Sequence, residues 1–305
     1  MRRLRPVLFA LAALAALAAA PARLRAQEIP DSVQVRAQPV AGNVYVLMGR
    51  GGNIGMIAGD DGVILVDDEF APLTERIRAA VRAISPRPIR FLLNTHWHGD
   101  HTGGNENFGR AGVLIVAHDN VRVRMSAEQF VGRMRERVPP SPPGALPVVT
   151  FGEDVTFHLN GEEVHAFHVP PAHTDGDVVV HFRRANVIHA GDTYFNGMYP
   201  FIDVNSGGSI EGTIGAADRI LALANERTRI IPGHGAVSGV AELRAYRDML
   251  VTVRDRVAAA IRAGKTVQQL VAEHPLADLD ARWGGGFMKA DAVVEIAYGD
   301  LAQRR

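Results

Sequence analysis

The residues best suited to chemistry lie in Asn94-Thr95-His96-Trp97-His98-Gly99-Asp100-His101-Thr102-Gly103-Gly104-Asn105, where three histidines and one aspartate fall within six residues. Imidazole nitrogens and a carboxylate are the ligands that a divalent first-row ion such as zinc accepts. In an extended chain His96 and His98 share a face and Trp97 opposes them. Gly99 lets the backbone bend, so Asp100 and His101 can aim elsewhere. The spacing therefore suggests two adjacent metal positions rather than one. A solvated polar loop has no need of this composition.

The elements that position this cluster read as alternating strands and helices. Residues 89–93 are apolar and strand-like and deliver the metal loop. Before them Leu73, Ile77, Val81 and Ile84 recur at helical spacing over residues 71–85, and Pro86 and Pro88 end that helix. Residues 44–47, 53–57 and 62–66 are short β-type runs with turns at Gly51-Gly52 and Asp60-Asp61-Gly62, which predicts a meander. Residues 30–40 read as an extended lead-in. Asp67 ends the third run. Its position at the end of a buried strand favours a carboxylate that fixes the metal loop or orients a ligand imidazole over a solvated loop acid.

Beyond the cluster, Gly103-Gly104-Asn105 opens a short helix, residues 113–117 form a buried strand, and His118 starts the next helix. The charged stretch 119–138 is expected to be one helix with a solvated face. The proline-rich run 139–147 cannot be a regular helix or a central strand. It is expected to carry the chain from a first sheet to a second, with a role as a lid over the site as the alternative. Residues 154–159, 163–169 and 178–182 are β-type runs, with a hairpin signal at Asn160-Gly161. His158, His165, His168 and His181 alternate with apolar residues there and read as strand positions, not ligands. His173 differs, because it lies on a loop beyond a strand end. Residues 186–192 are a strand delivering Asp192, with His189 in the core. The aromatic loop 193–203 either walls a substrate, with Tyr194 or Asn196 as hydrogen-bond donors, or simply packs. Ser209 caps a helix to residue 225, and residues 228–232 form a strand ending in Gly233-His234-Gly235. Helices over 240–262, 266–273 and 289–302 complete the chain, with a glycine turn at 283–287.

The motif H-x-H-x-D-H resembles the signature of the metallo-β-lactamase superfamily. Ala172-His173-Thr174-Asp175-Gly176-Asp177, Ala190-Gly191-Asp192-Thr193 and Pro232-Gly233-His234-Gly235 resemble the later family motifs, in the expected order. Gly62-Val63-Ile64-Leu65-Val66-Asp67 resembles the early strand ending in aspartate. The likeness covers about residues 40 to 235. It implies an α/β fold, a four-layer αββα sandwich of two mixed β-sheets flanked by helices, with the site at one edge. It also implies that His96, His98 and His173 form one metal site, that Asp100, His101 and His234 form the other, and that Asp192 bridges them. Two zinc ions are the expected cofactors, ahead of iron or manganese.

The implied reaction is hydrolysis of a small-molecule carbonyl compound (an ester, lactone, lactam or amide) by a hydroxide shared between two metals. Asp100 and Asp192 serve that chemistry directly. Many β-lactam-cleaving members place cysteine where Asp192 stands, or lack a bridging carboxylate. The full ligand set therefore looks more like the wider hydrolase families, with β-lactam cleavage as an alternative. An iron redox enzyme is a further alternative, but that branch usually has glutamate where this chain has His98. A module that holds metal only for stability is the third.

The 305 residues are 47% hydrophobic, enough for a sizeable core, and residues 27–305 read as a single catalytic domain. Formal net charge is zero, which argues against a nucleic-acid-binding surface. Met1-Arg2-Arg3-Leu4-Arg5 is basic, residues 7–20 are apolar, and small residues at Ala20-Pro21-Ala22 and near Ala26 offer cleavage sites. Residues 1–26 thus read as a signal peptide for a periplasmic or secreted protein. The apolar stretch is shorter than the roughly 20 residues of a membrane span, so no stable anchor is expected. The chain has no cysteine, which excludes thiolate ligands and cysteine nucleophiles. Oligomeric state is not legible at this level.

Overall fold

The computed structural model describes residues 29–30, 32–132 and 135–303. The segment read as a signal peptide, residues 1–26, lies outside the described residues. The chain opens with β1 (Arg36–Ala41), β2 (Val44–Met48), β3 (Ile54–Gly59) and β4 (Gly62–Val66), an antiparallel meander. The stretch expected to be only a lead-in thus supplies an edge strand. Helix α1 (Thr74–Ile84) then crosses over to β5 (Ile89–Leu93), which pairs parallel with β4. Two short helices, α2 (Gly99–Thr102) and α3 (Asn105–Arg110), lead to β6 (Leu114–His118), parallel to β5. His118 caps α4 (Asp119–Met125), its ring accepting from the Asn120 amide.

The single helix expected over 119–138 is not found. It stops at Met125, and the chain folds into a hairpin of β7 (Gln129–Val131) and β8 (Glu136–Val138). Alternation decides this: Val131 is buried, while Phe130 points outward under the Arg137 guanidinium. The proline run also departs from expectation. It is tied to the first sheet's helices by Asn105, which donates to the Ala145 carbonyl, and by Arg122, which donates to Pro147. It therefore delivers β9 (Val149–Phe151) back beside β6, and the chain changes sheets only after β9.

The second sheet is β10 (Asp154–Leu159), β11 (Glu162–His168), β12 (Val178–Phe182), β13 (Val187–His189) and β14 (Arg229–Ile231). Between β13 and β14 lies α5 (Ile210–Leu223), with Ser209 as its N-cap. After β14 come α6 (Val240–Arg262), α7 (Val267–Ala272), α8 (Asp280–Trp283) and α9 (Ala290–Gln303). The short α8 was not foreseen ahead of the glycine turn. Among the described residues the sheets have seven strands in the order β1-β2-β3-β4-β5-β6-β9 and five in the order β10-β11-β12-β13-β14.

Side-chain alternation stacks these sheets in four layers. Val44, Val46, Ile64 and Val66 of the first sheet meet Val164, Val178, Val180 and Phe182 of the second in a common core. The opposite face of the first sheet, with Leu47, Met56 and Leu65, packs on Ile77 and Val81 of α1 and Phe108 of α3. The opposite face of the second, with Phe167, Val179 and Ile188, packs on α5, α6 and α9. The result is an αββα sandwich, as the sequence implied. No helix among the described residues is long and apolar enough to cross a membrane.

Candidate metal centre

The loops that leave β4, β5, β11, β13 and β14 meet at one edge of the sandwich. Asp67, at the end of β4, adopts a left-handed backbone (φ 67°) and is fully buried. Its carboxylate accepts from the Thr95 amide and hydroxyl, both at 2.7 Å, and from His101 Nδ1 at 2.8 Å. The Thr95 oxygen in turn accepts from His96 Nδ1 at 3.1 Å. His173 Nδ1 donates to the Phe201 carbonyl at 2.7 Å, and His98 Nε2 to Asp203 Oδ2 at 3.1 Å. Each of these imidazoles donates from one nitrogen to a neighbouring oxygen, and this orients the ring. The other nitrogen of each ring is left facing the others.

The free nitrogens converge. Donor atoms of His96, His98 and His173 lie within 4.8 Å of one another, as do those of His96, His101 and Asp192, and of Asp100, His101 and His234. Asp192, on the turn Gly191–Thr193, stands between the groups. Its Oδ2 is 3.5 Å from His173 Nε2 and 3.9 Å from His96 Nε2. Its Oδ1 is 3.1 Å from His101 Nε2 and 3.5 Å from His234 Nε2. Asp100 Oδ2 is 3.3 Å from His234 Nε2.

This arrangement fits a cation. His96 Nε2 is buried without a hydrogen-bond partner, and His101 Nε2 and Asp192 Oδ1, 3.1 Å apart, have only each other. An unpartnered buried polar atom costs about 1–3 kcal/mol. His98 Nδ1 and His173 Nε2 face each other at 2.8 Å, so two ring nitrogens point at one spot where a cation could accept both. Imidazole and carboxylate donors suit zinc, and manganese or iron also accept them.

Backbone packing holds the loops in register. A Cβ at Gly52 would fall 2.0 Å from the His101 ring, and one at Gly233 would fall 2.0 Å from Asp192 Oδ1. Asn53 reaches from β3's entrance to the far loop, donating to the Pro232 and Gly235 carbonyls at 2.8 Å each. His189 Nε2 donates to the Asn53 carbonyl, confirming it as a core residue. Asp177 accepts from the His173 and Thr174 amides at 2.6 and 2.9 Å and shapes that loop. Burial pushes its carboxyl up to about 7.

The two donor groups differ in charge. Burial, reinforced by His101, holds His96 well below the usual imidazole range, and burial lowers His173 to about 4. In the second group burial opposes charge, but the acids prevail. Asp192 and Asp100 raise His234 to about 9, and with Asp67 they hold His101 well above its ordinary value. Burial likewise works against Asp100, yet His101 and His234 bring it down to about 2.

All seven expected ligand positions are thus brought together, and Asp67 takes the orienting position read from the sequence. Tyr194 and Asn196 do not serve as free donors. The Tyr194 ring is buried against Tyr246, and its hydroxyl is shared with Asn196 and Ser238 at 3.0 Å. The Asn196 amide donates to the Ala236 carbonyl. Both side chains are engaged in holding the loop. His118 and His168 stack on each other at 3.9 Å, away from the donor set. Sequence reasoning missed Asp203 and Asn53. The available signal for Asp203 was a lone acid closing an apolar aromatic run, 2% exposed once folded.

The fold and the donor set define a metal-binding α/β sandwich protein. The sequence model of the metallo-beta-lactamase superfamily matches residues 47–234, and the chain belongs to that superfamily. It is 30% identical over 164 residues to the 2,4-dinitroanisole O-demethylase subunit alpha of Nocardioides sp. (strain JS1661), covering 52% of this chain and 46% of that one. It is 24% identical over 219 residues to the acyl-coenzyme A thioesterase MBLAC2 of Gallus gallus, covering 64% and 76%. It is 30% identical over 149 residues to the hydroxyacylglutathione hydrolase of Gloeobacter violaceus, covering 45% and 50%. The chain therefore spans about half the length of two of these relatives. Among solved structures, a metallo-beta-lactamase from Pontibacter korlensis superposes with TM-score 0.60 at 18% identity, covering 71% of this chain and 99% of that one. A sec-alkylsulfatase from Pseudomonas sp. gives TM-score 0.63 at 18% identity, covering 87% and 50%. These structures share the fold.

Proposed function

We propose that this protein is an exported, dinuclear zinc-dependent hydrolase that attacks the carbonyl carbon of a small ester, thioester, lactone, lactam or amide and breaks its acyl C–O, C–S or C–N bond. The observation that carries the reading is Asp192. One of its oxygens faces the His96/His173 nitrogens and the other faces His101 and His234. His96, His98 and His173 would hold one ion, and Asp100, His101 and His234 the other. Bound zinc supplies a Lewis acid and ionises water near neutral pH.

The chain's own residues do the rest. Asp67, Asp203 and the Phe201 carbonyl fix which nitrogen each imidazole presents. Asp192 sets the separation of the two groups. Asp100 is the most exposed of the ligand set, and its carboxylate accepts a proton or a hydrogen bond from an incoming water. No Ser-His-Asp arrangement is needed. Thioester cleavage gains support from the names of two relatives, the acyl-coenzyme A thioesterase and the hydroxyacylglutathione hydrolase. Export rests on the basic and apolar N-terminal segment, and the partner is a small molecule rather than nucleic acid.

The test is metal analysis of the purified mature protein, followed by a panel of lactams, lactones and thioesters. The expected result is two zinc equivalents and turnover that chelation removes and zinc restores. Full turnover in metal-free protein would sink the reading. Iron with redox activity would replace it by the iron alternative.

A further inference from the structure

The metal-ligand cluster is closed on most sides and open on one. The side chains of His96, His101 and His173 are at most 1% exposed, whereas Asp100 is 31% and His234 18% exposed. These two, the most exposed of the ligand set, mark its open side. Phe287 stands at that edge. Its ring centroid lies 6.1 Å from the His234 ring and 6.1 Å from that of Phe195, which stacks on the other ring neighbour at 5.3 Å.

Phe287 is 57% exposed, although both ends of its loop are anchored. Trp283 and Met288 are buried, and the Trp283 carbonyl accepts from the Tyr199 amide at 2.9 Å. Lys289 donates to the Gly284 carbonyl, and Gly286 packs so closely on Met198 that a Cβ there would fall 2.7 Å from it. A single exposed phenylalanine is ordinary on a protein surface. This one is held out of the core by a pinned glycine loop, beside the two most exposed residues of the ligand set. It comes from outside the residues that match the superfamily model.

We propose that Phe287 is a specificity-determining residue, an apolar wall at the mouth of the site that selects substrates carrying an apolar chain or ring beside the scissile carbonyl. Such a group covers the ring and removes its face from water, which favours binding in proportion to the area covered. The polar reacting bond then lies toward Asp100 and the apolar part toward the C-terminal loop. The inference deepens the hydrolase reading and rests on it for the identity of the bond cut.

The experiment compares zinc-loaded wild type with Phe287→Ala and Phe287→Leu at matched metal content, using p-nitrophenyl acetate and p-nitrophenyl octanoate. The ratio of octanoyl to acetyl kcat/KM is expected to fall about tenfold in Phe287→Ala, and Phe287→Leu to recover most of it. Calorimetric titration with acetate and octanoate gives a readout that needs no turnover, with the octanoate-over-acetate preference also falling about tenfold. A protein that hydrolyses both esters with an unchanged ratio overturns the wall and leaves the hydrolase. A protein that hydrolyses neither, yet binds octanoate in a Phe287-dependent way, overturns the hydrolase and leaves the wall. Loss of neither preference with no turnover overturns both.

Discussion

The two donor groups are built on opposite principles. The His96/His98/His173 group is largely buried, has two imidazoles, His96 and His173, that burial keeps neutral, and is locked from behind by Thr95, Asp203 and the Phe201 carbonyl. The Asp100/His101/His234 group is open on one side and holds its charges in balance, with protonated imidazoles against carboxylates. The difference teaches that a single metal motif can divide its labour. One half is ready for a cation as folded, and the other half exchanges protons for one and meets the substrate.

The sharpest way to break this contrast is to remove one ligand from each group. His98→Ala is expected to abolish turnover, by about a thousandfold or more, because it removes a ligand nitrogen and the imidazole that Asp203 and His173 both contact. His234→Ala is expected to lose close to one metal equivalent and retain the other, measured by metal analysis. Equal metal loss in both variants would erase the distinction.

A finer test removes the locks instead of the ligands. Asp203→Asn places an amide against His98 Nε2 and frees the ring to turn, and Asp67→Asn does the same for His101. Each is expected to weaken metal affinity about 10–100-fold. Competition titration shows whether the loss falls on the first equivalent bound or the second. Asp203→Asn should affect the first and Asp67→Asn the second.

Acidity provides a third test. His173 is lowered to about 4, so above pH 5 it is already neutral and binding at the buried group takes no proton from it. His234 is raised to about 9, so below pH 9 its proton must leave before the nitrogen can bind an ion. Affinity for the second equivalent is therefore expected to rise with pH between 6 and 9, up to about tenfold per unit for this one proton. Affinity for the first equivalent changes much less over that range. Titration in buffers of different ionisation enthalpy reads the protons directly. The smallest effect is expected at Tyr194→Phe, which removes a buried hydroxyl shared with Ser238 and Asn196. A loss of about 1 kcal/mol in denaturant unfolding, with an unchanged substrate preference, separates loop packing from substrate contact.

What could be read from the chain follows how local each signal is. The metal loop announces itself because its ligands sit two to five residues apart, and α1 does so through Leu73, Ile77, Val81 and Ile84. The Asn160-Gly161 turn is found as a hairpin because both residues take positive φ, as that dipeptide favours. Asp203 meets His98 across 105 positions, and Asn53 meets Pro232 across 179, so neither partnership leaves a pattern in the sequence. The stretch after Met125 misleads for a different reason. Its charges suit a solvated helix as well as a solvated hairpin, and only the buried Val131 opposite the exposed Phe130 decides between them.

One consequence follows from where the ligands originate. His96, His98, Asp100 and His101 leave the first sheet, whereas His173, Asp192 and His234 leave the second. A bound ion would therefore rivet the seam, because neither half alone carries a full donor set. Complete coordination then waits on closure of the two halves, and an ion's supply at the place of closure bears on which metal is loaded.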